Sequence, residues 1–129
     1  GSQPILLMGV LTFDWDDVSI SNSKVQQALC QLTEHFGQER IWYRVSSSGQ
    51  GLHVLLGELD ESFSLLPIPI DDTESFRWRS YFYDYGLECG GRLRADNERY
   101  AHGFPVGRLF SHKDNSEAGP WTVYKEFSQ

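Results

Sequence analysis

The chain has 129 residues and a mass of 14.8 kDa, with 40% hydrophobic, 22% charged and 14% aromatic residues, which suits one globular core and leaves no room for two. Acidic residues number 18 and basic residues 11, giving a net charge of −7 and a pI near 4.9. Nucleic-acid binding through bulk basicity is therefore disfavoured, although a local basic patch remains open. Every apolar run falls well short of the ~18 residues that cross a bilayer, so no membrane partner is expected. Cys30 and Cys89 stand far apart, without CxxC spacing or a histidine cluster. Neither a zinc knuckle nor a disulfide framework follows, and reduced thiols in the cytoplasm are the expectation. Gly1-Ser2 reads as a cloning scar, with a single domain over 3–129.

In chain order, Ile5 to Phe13 form a near-continuous apolar run that ends abruptly in Asp14-Trp15-Asp16-Asp17, as expected of a doubly buried strand whose end reaches solvent. Ser21, Asn22 and Ser23 offer caps to a helix whose apolar positions Val25, Ala28, Leu29, Leu32 and Phe36 follow the i, i+3, i+4, i+7 pattern, with Gly37 closing it. Ile41–Val45 and Leu52–Leu56 are β-prone runs joined by a Ser/Gly-rich turn, and predict a hairpin. Pro67 and Pro69 impose extended chain, after which Asp71-Asp72-Thr73 can cap a helix running to about Tyr85-Gly86. A shorter helix is predicted from Gly91 to His102. Two further strands follow, Val106–Lys113 and Trp121–Phe127, with a polar turn between them. The order β-α-β-β-α-α-β-β predicts an α+β domain, a mostly antiparallel sheet with helices packed on one face. There is no internal repeat or low-complexity linker.

Two features carry chemistry. Side chains alternate across a strand, so Asp14 and Asp16 project to one face while Trp15 points to the other. Converging carboxylates either raise one pKa or recruit a hard cation such as Mg²⁺ or Mn²⁺, whereas the plain alternative is an acidic loop capping the next helix. The second feature is Ser47 to His53. There Ser47, Ser48, Gly49 and Gly51 could form a phosphate nest of backbone amides and hydroxyls facing His53, and the plain alternative is a flexible turn followed by one strand histidine.

Together, Phe13-Asp14-Trp15-Asp16 and Ser47-Ser48-Gly49-Gln50-Gly51-Leu52-His53 resemble the first two motifs of the archaeo-eukaryotic primase (primase-polymerase) superfamily, an hDhD pair and an SxH-type hairpin. The resemblance covers roughly Leu6 to Leu56. It implies an RRM-like catalytic half in which Asp14 and Asp16 carry Mg²⁺ or Mn²⁺ while Ser47 and His53 contact the phosphates of a nucleoside triphosphate. The implied activity is nucleotidyl transfer in DNA replication, by in-line attack of a primer 3′-hydroxyl on the α-phosphate. The small size suggests a virus or plasmid replication system, with single-stranded or primer-template nucleic acid and a replication protein as partners. The family's third acidic motif would fall on Gly107–Lys113, where Ser111 stands in place of an aspartate. Asp114, Asp84 and Asp96 are the nearby alternatives.

Lys113, and less so Arg108 or His112, could pair with a triphosphate. Arg92, Arg94 and Arg99, interspersed with Asp96 and Glu98, read as a salt-bridged exposed helix face. Trp15, Trp42, Tyr43, Trp78, Tyr81, Phe82, Tyr83 and Tyr85 could supply base-stacking platforms, but most belong in a core, with one or two of the 76–85 cluster exposed. Two other readings stand beside nucleotidyl transfer. One is a catalytically inactive RRM-like module that binds nucleic acid or a replication protein. The other is a metal-dependent nuclease in which His53 activates water or stabilises the leaving group.

Overall fold

The computed structural model describes residues 8–109, 112–113 and 116–125. In chain order the elements are β1 (Met8–Gly9), β2 (Thr12–Asp16), α1 (Ser23–Phe36), β3 (Ile41–Val45), β4 (Gly51–Leu59), β5 (Leu65–Pro67), β6 (Ile70–Asp71), α2 (Asp72–Asp84), α3 (Gly90–Ala101), β7 (His112–Lys113), β8 (Ser116–Glu117) and β9 (Thr122–Val123). The main sheet is antiparallel in the order β2-β4-β3-β9, with β5 continuing from the far end of β4. Two small ribbons, β1 with β6 and β7 with β8, complete the strand pairing.

Local signals produce most of these elements. The Asn22 carboxamide oxygen accepts from the amides of Lys24 and Val25 and starts α1. The chain leaves α1 at Gly37, whose φ of 108° suits a residue without a side chain. Asp71 accepts from the Thr73 amide and caps α2. The apolar stripe of α1, Val25, Ala28, Leu29 and Leu32, packs on a sheet face built from Phe13 and Trp15 of β2, Ile41 of β3, and Leu52, Val54 and Leu56 of β4. Phe82 of α2 enters the same core, edge-on to Phe13 at 5.3 Å and tilted against Trp15 at 5.6 Å. The α+β class with an open antiparallel sheet and three helices matches the sequence expectation.

Three expectations shift. The strand carrying the acidic pair begins at Thr12, so Asp14 and Asp16 lie within the ladder, not beyond its end. Its upstream part breaks at Val10-Leu11, and Ile5 to Leu7 lie outside the described residues. The predicted strand from Val106 is irregular over 106–109; β7 is confined to His112–Lys113, and β9 to Thr122–Val123. Ser111 and Asp114 also lie outside the described residues, as does the end of the predicted last strand.

The α3 face is the third departure. Asp96 is buried, and its carboxylate accepts from Arg79 of α2, from Arg99 and from the Gly107 amide. Arg92 is largely covered and bonds to Thr12, Glu88 and the Arg108 carbonyl. Helix α3 therefore uses its charges to clamp onto β2 and the segment after it; Arg94 and Arg99 remain exposed. The buried cluster behind β2 centres on Arg79, which is 0% exposed and reaches Glu88 at 2.8 Å and Asp96 at 2.9 Å.

Candidate functional site

The two sequence features are brought together by strand register. Strand β2 pairs with β4 so that Asp14 sits opposite His53 and Asp16 opposite Gly51. The Asp14 amide donates to the Glu88 carboxylate at 2.8 Å, and its carbonyl accepts from the Cys89 amide at 3.0 Å. Both main-chain groups of Asp14 thus point away from β4. The Asp14/His53 pair is accordingly the non-hydrogen-bonded kind, in which facing side chains approach most closely. Asp14 Oδ1 lies 3.9 Å from His53 Nε2.

Strand β3 extends the row. Arg44 is opposite His53 on the other side of β4, and its Nε–H donates to His53 Nδ1 at 3.0 Å. The Arg44 guanidinium carbon stands 4.4 Å from the centre of the Trp121 ring, and Trp121 directly precedes β9, where Thr122 and Val123 pair with Tyr43 and Trp42. One line of side chains therefore crosses the sheet face remote from the core: Asp14, His53, Arg44, Trp121.

Because β4 is the central strand and is buried from Gly51 to Gly57, His53 is only 4% exposed. Burial is the main cause that lowers its pKa from 6.5 to about 4, and the positive charges of Arg44 and Arg92 push the same way. At neutral pH the imidazole is uncharged. Since Nδ1 accepts from Arg44, the ring proton sits on Nε2, directed toward the side of Asp14. His53 thus presents a hydrogen-bond donor to whatever occupies the space beside Asp14.

The hairpin turn places the remaining predicted residues. The Ser46 amide donates to the Gly51 carbonyl, the Gly49 amide to the Ser46 carbonyl, and the Gln50 amide to the Ser48 hydroxyl. Of the residues expected to form a phosphate nest, Gly49 thus has its amide engaged inside the turn, and Ser48 its hydroxyl. Ser46 is the buried hydroxyl and contacts Ser48 at 3.1 Å, while Ser47 is half-buried. Gly49 has a φ of 77° and fits a turn position hostile to other residues. Gly51 has a different role, because a Cβ there would stand 2.5 Å from the Trp15 carbonyl oxygen. It lets β2 and β4 close up beside Asp16. A depression of about 440 Å³ opens beside this end of the sheet, lined by Asp17, Val18, Ser19, Asn22, Gly49 and Gln50.

The other candidates are dispersed. Asp84 is exposed on α2, and Asp96 is committed to Arg79 and Arg99. The backbone of Lys113 lies in β7, but its side chain and that of His112 are outside the described residues. Trp15 and Phe82 are core, whereas Tyr81 and Tyr83 are exposed. Among the described residues, no group of three His, Cys, Asp or Glu side chains is arranged to hold a metal ion. Cys30 and Cys89 are not joined by a disulfide, and none of the described helices is long and apolar enough to cross a membrane.

Sequence reasoning left Arg44, Trp121 and Glu88 out of the site. A signal for Arg44 existed: once Ser46 pairs with Gly51 across the hairpin, two residues further along each strand bring Arg44 opposite His53. Comparison with family models, with curated proteins and with solved structures gives no match to this chain.

Proposed function

We propose that this domain binds a nucleoside triphosphate with Mg²⁺ or Mn²⁺ and carries out nucleotidyl transfer of the primase-polymerase kind in DNA replication. The observation that carries the reading is the cross-strand pairing of Asp14 with His53. It joins two motifs nearly 40 residues apart in sequence into one site, with Asp16 on the same strand face. The strand order β2-β4-β3, with α1 linking β2 to β3, and the antiparallel bridge between Trp15 and Glu88 on the free edge of β2, support an RRM-like arrangement.

The donor set suits an ion that arrives with its nucleotide. Mg²⁺ is commonly held by one or two carboxylates, with substrate phosphates and water filling the remaining positions, and Asp14 and Asp16 offer two carboxylates on one strand face. When bound there, such an ion neutralises phosphate charge and polarises the reacting phosphorus. The chain's own groups do the rest. His53 donates a hydrogen bond from Nε2–H to a phosphate oxygen, Ser47 and Ser48 offer hydroxyls from the hairpin turn, and Gly49 of that turn lines the 440 Å³ depression. In the reaction a 3′-hydroxyl oxygen bonds to the α-phosphorus, its proton is lost to solvent, and the bond from the α-phosphorus to the pyrophosphate oxygen breaks, the pyrophosphate leaving with that electron pair. Hydrolytic nuclease chemistry led by His53 is less well supported, because an imidazole with its acceptor nitrogen occupied by Arg44 and a pKa of about 4 is poorly suited to take a proton from water.

Titration of Mn²⁺ and a nucleoside triphosphate into wild type and an Asp14→Ala/Asp16→Ala variant tests this reading. Binding by the wild type alone is expected, and equal binding by both would remove the site. Primer extension that depends on Asp16 separates transfer from the binding-only RRM-like module, which would retain ligands and synthesise nothing.

A further inference from the structure

Arg44 belongs to neither motif, yet its side chain is held by two neighbours of the same sheet face. Its Nε–H donates to His53 Nδ1 at 3.0 Å, and its guanidinium carbon stands over the Trp121 indole, 4.4 Å from the ring centre. These contacts use one edge and one face of the fork. The two terminal amines make no hydrogen bond among the described residues and no acidic side chain pairs with them, but they are not sealed from solvent either. Arg92, the other guanidinium near His53, differs in this respect: its terminal amines are spent on Thr12, Glu88 and the Arg108 carbonyl.

A planar fork held in one orientation, with two donors left over, is the arrangement that binds a phosphate bidentately at low entropic cost. It stands in the same cross-strand row as His53, with the imidazole between Arg44 and Asp14, so the row offers the Nε2–H of His53 beside Asp14 and the Arg44 fork one strand further across the same sheet face. From this geometry we infer that Arg44, preorganised by His53 and Trp121, is the anchor for the phosphate chain of the ligand, and that it binds phosphate without any metal. The inference deepens the nucleotide reading and rests on it for the identity of the ligand. Trp121 acts here as a positioning residue, because its ring packs under the guanidinium carbon.

The probe is inorganic tripolyphosphate in the presence of EDTA, titrated calorimetrically into the full chain. Wild type should bind. Arg44→Gln should weaken binding by about tenfold or more, the loss expected for one charge-assisted bidentate contact. Arg44→Lys, which keeps the charge but loses the fork, should fall between the two. Arg40→Gln removes the same charge from an exposed position just before β3 and should leave binding unchanged. A two-dimensional amide spectrum of each variant confirms the fold, and the Trp121 indole signal should move on titration of wild type but not of Arg44→Gln. No binding by wild type, equal binding by Arg44→Gln, or an equal loss in Arg40→Gln would each overturn the inference. Loss of Mn²⁺-nucleotide binding is scored separately in Asp14→Ala/Asp16→Ala. The anchor can therefore stand where the nucleotidyl-transfer reading falls, and the reverse.

Discussion

Two lines of charged side chains flank β2, and they are built on opposite principles. Behind the strand, Arg79, Glu88 and Asp96 are 0%, 5% and 2% exposed and bond to one another at 2.8–2.9 Å. On the sheet face, Asp14, His53 and Arg44 are spaced by strand pairing, with a 3.9 Å gap between Asp14 and the imidazole and terminal amines left over on Arg44. The closed cluster pairs its carboxylates throughout: Glu88 takes Arg79, Arg92 and the Asp14 amide, and Asp96 takes Arg79, Arg99 and the Gly107 amide, while Arg79 Nη2 and Arg92 Nε are buried without a hydrogen-bond partner among the described residues. Burial still pushes the Glu88 carboxyl up, against the pull of Arg92 and Arg79. Such a network fixes the relation of α2 and α3 to β2, whereas in the row on the sheet face the terminal amines of Arg44 make no hydrogen bond among the described residues. The link between them is Asp14, whose main chain is held by Glu88 and whose side chain belongs to the row.

The largest effect should come from breaking the closed cluster. Arg79→Ala leaves two buried carboxylates without their shared cation, a loss of about 3–5 kcal/mol, read as a lower midpoint in urea denaturation. Arg79→Met should be milder if Glu88 and Asp96 are replaced together by Gln and Asn, because the uncompensated charge, and not the lost volume, carries most of the cost. A small effect of Arg79→Ala alone would show that the cluster is not what fixes α2 and α3.

This cluster is also the part least visible in the sequence. Arg77 and Arg79 are two residues apart on one helix and look alike, and nothing local marks the second as buried. Its burial depends on Glu88 and Asp96 reaching it from the following turn and helix. The same long-range dependence turned the expected exposed face of α3 inward at Arg92 and Asp96. By contrast, α1, the β3–β4 hairpin and the caps at Asn22 and Asp71 were legible, because cap, periodicity and turn signals act within a few residues. In the site, alternation was enough to set Asp14 and Asp16 on one face. Which residue His53 would face required the register between β2 and β4, and that depends on a whole helix and hairpin lying between them.

The open row should reveal itself through pH. His53 has a pKa of about 4 in the folded chain against 6.5 ordinarily. Between those values the unfolded chain binds the extra proton, so stability is full above pH 6.5 and declines as pH falls toward 4. The decline amounts to at most roughly 3 kcal/mol. Denaturation midpoints across that window should follow this slope in wild type, and the slope should flatten in His53→Gln. A histidine that remained exposed would give no such difference between the two proteins.

Gly51 tests whether the row depends on close strand approach. Its absent side chain lets the Trp15 carbonyl come within 2.5 Å of where a Cβ would stand. Gly51→Ala should cost roughly 1–3 kcal/mol through overpacking, and it should weaken triphosphate binding further by moving Asp16. Gly49→Ala alters a turn position with open space around it but a positive φ, so its stability loss should be local strain of about 1 kcal/mol. Equal damage to binding by both variants would argue that the turn, and not the register at Asp16, governs the site.

The smallest change in stability should accompany one of the largest changes in binding. Asp16 is exposed at the end of β2 and lies outside the Arg79 cluster, so Asp16→Asn, nearly identical in shape, should leave the thermal midpoint where it is. If Asp16 holds the cation that comes with the nucleotide, loss of its charge should weaken Mn²⁺-dependent nucleotide binding by about tenfold or more. Tripolyphosphate binding in EDTA, which depends on Arg44, should not weaken, because removing a nearby negative charge can only favour an anion. An Asp16→Asn protein that loses both forms of binding would mean that the carboxylate organises the phosphate site as a whole. One that loses neither would leave Asp14 as the only acid of the pair with a functional part.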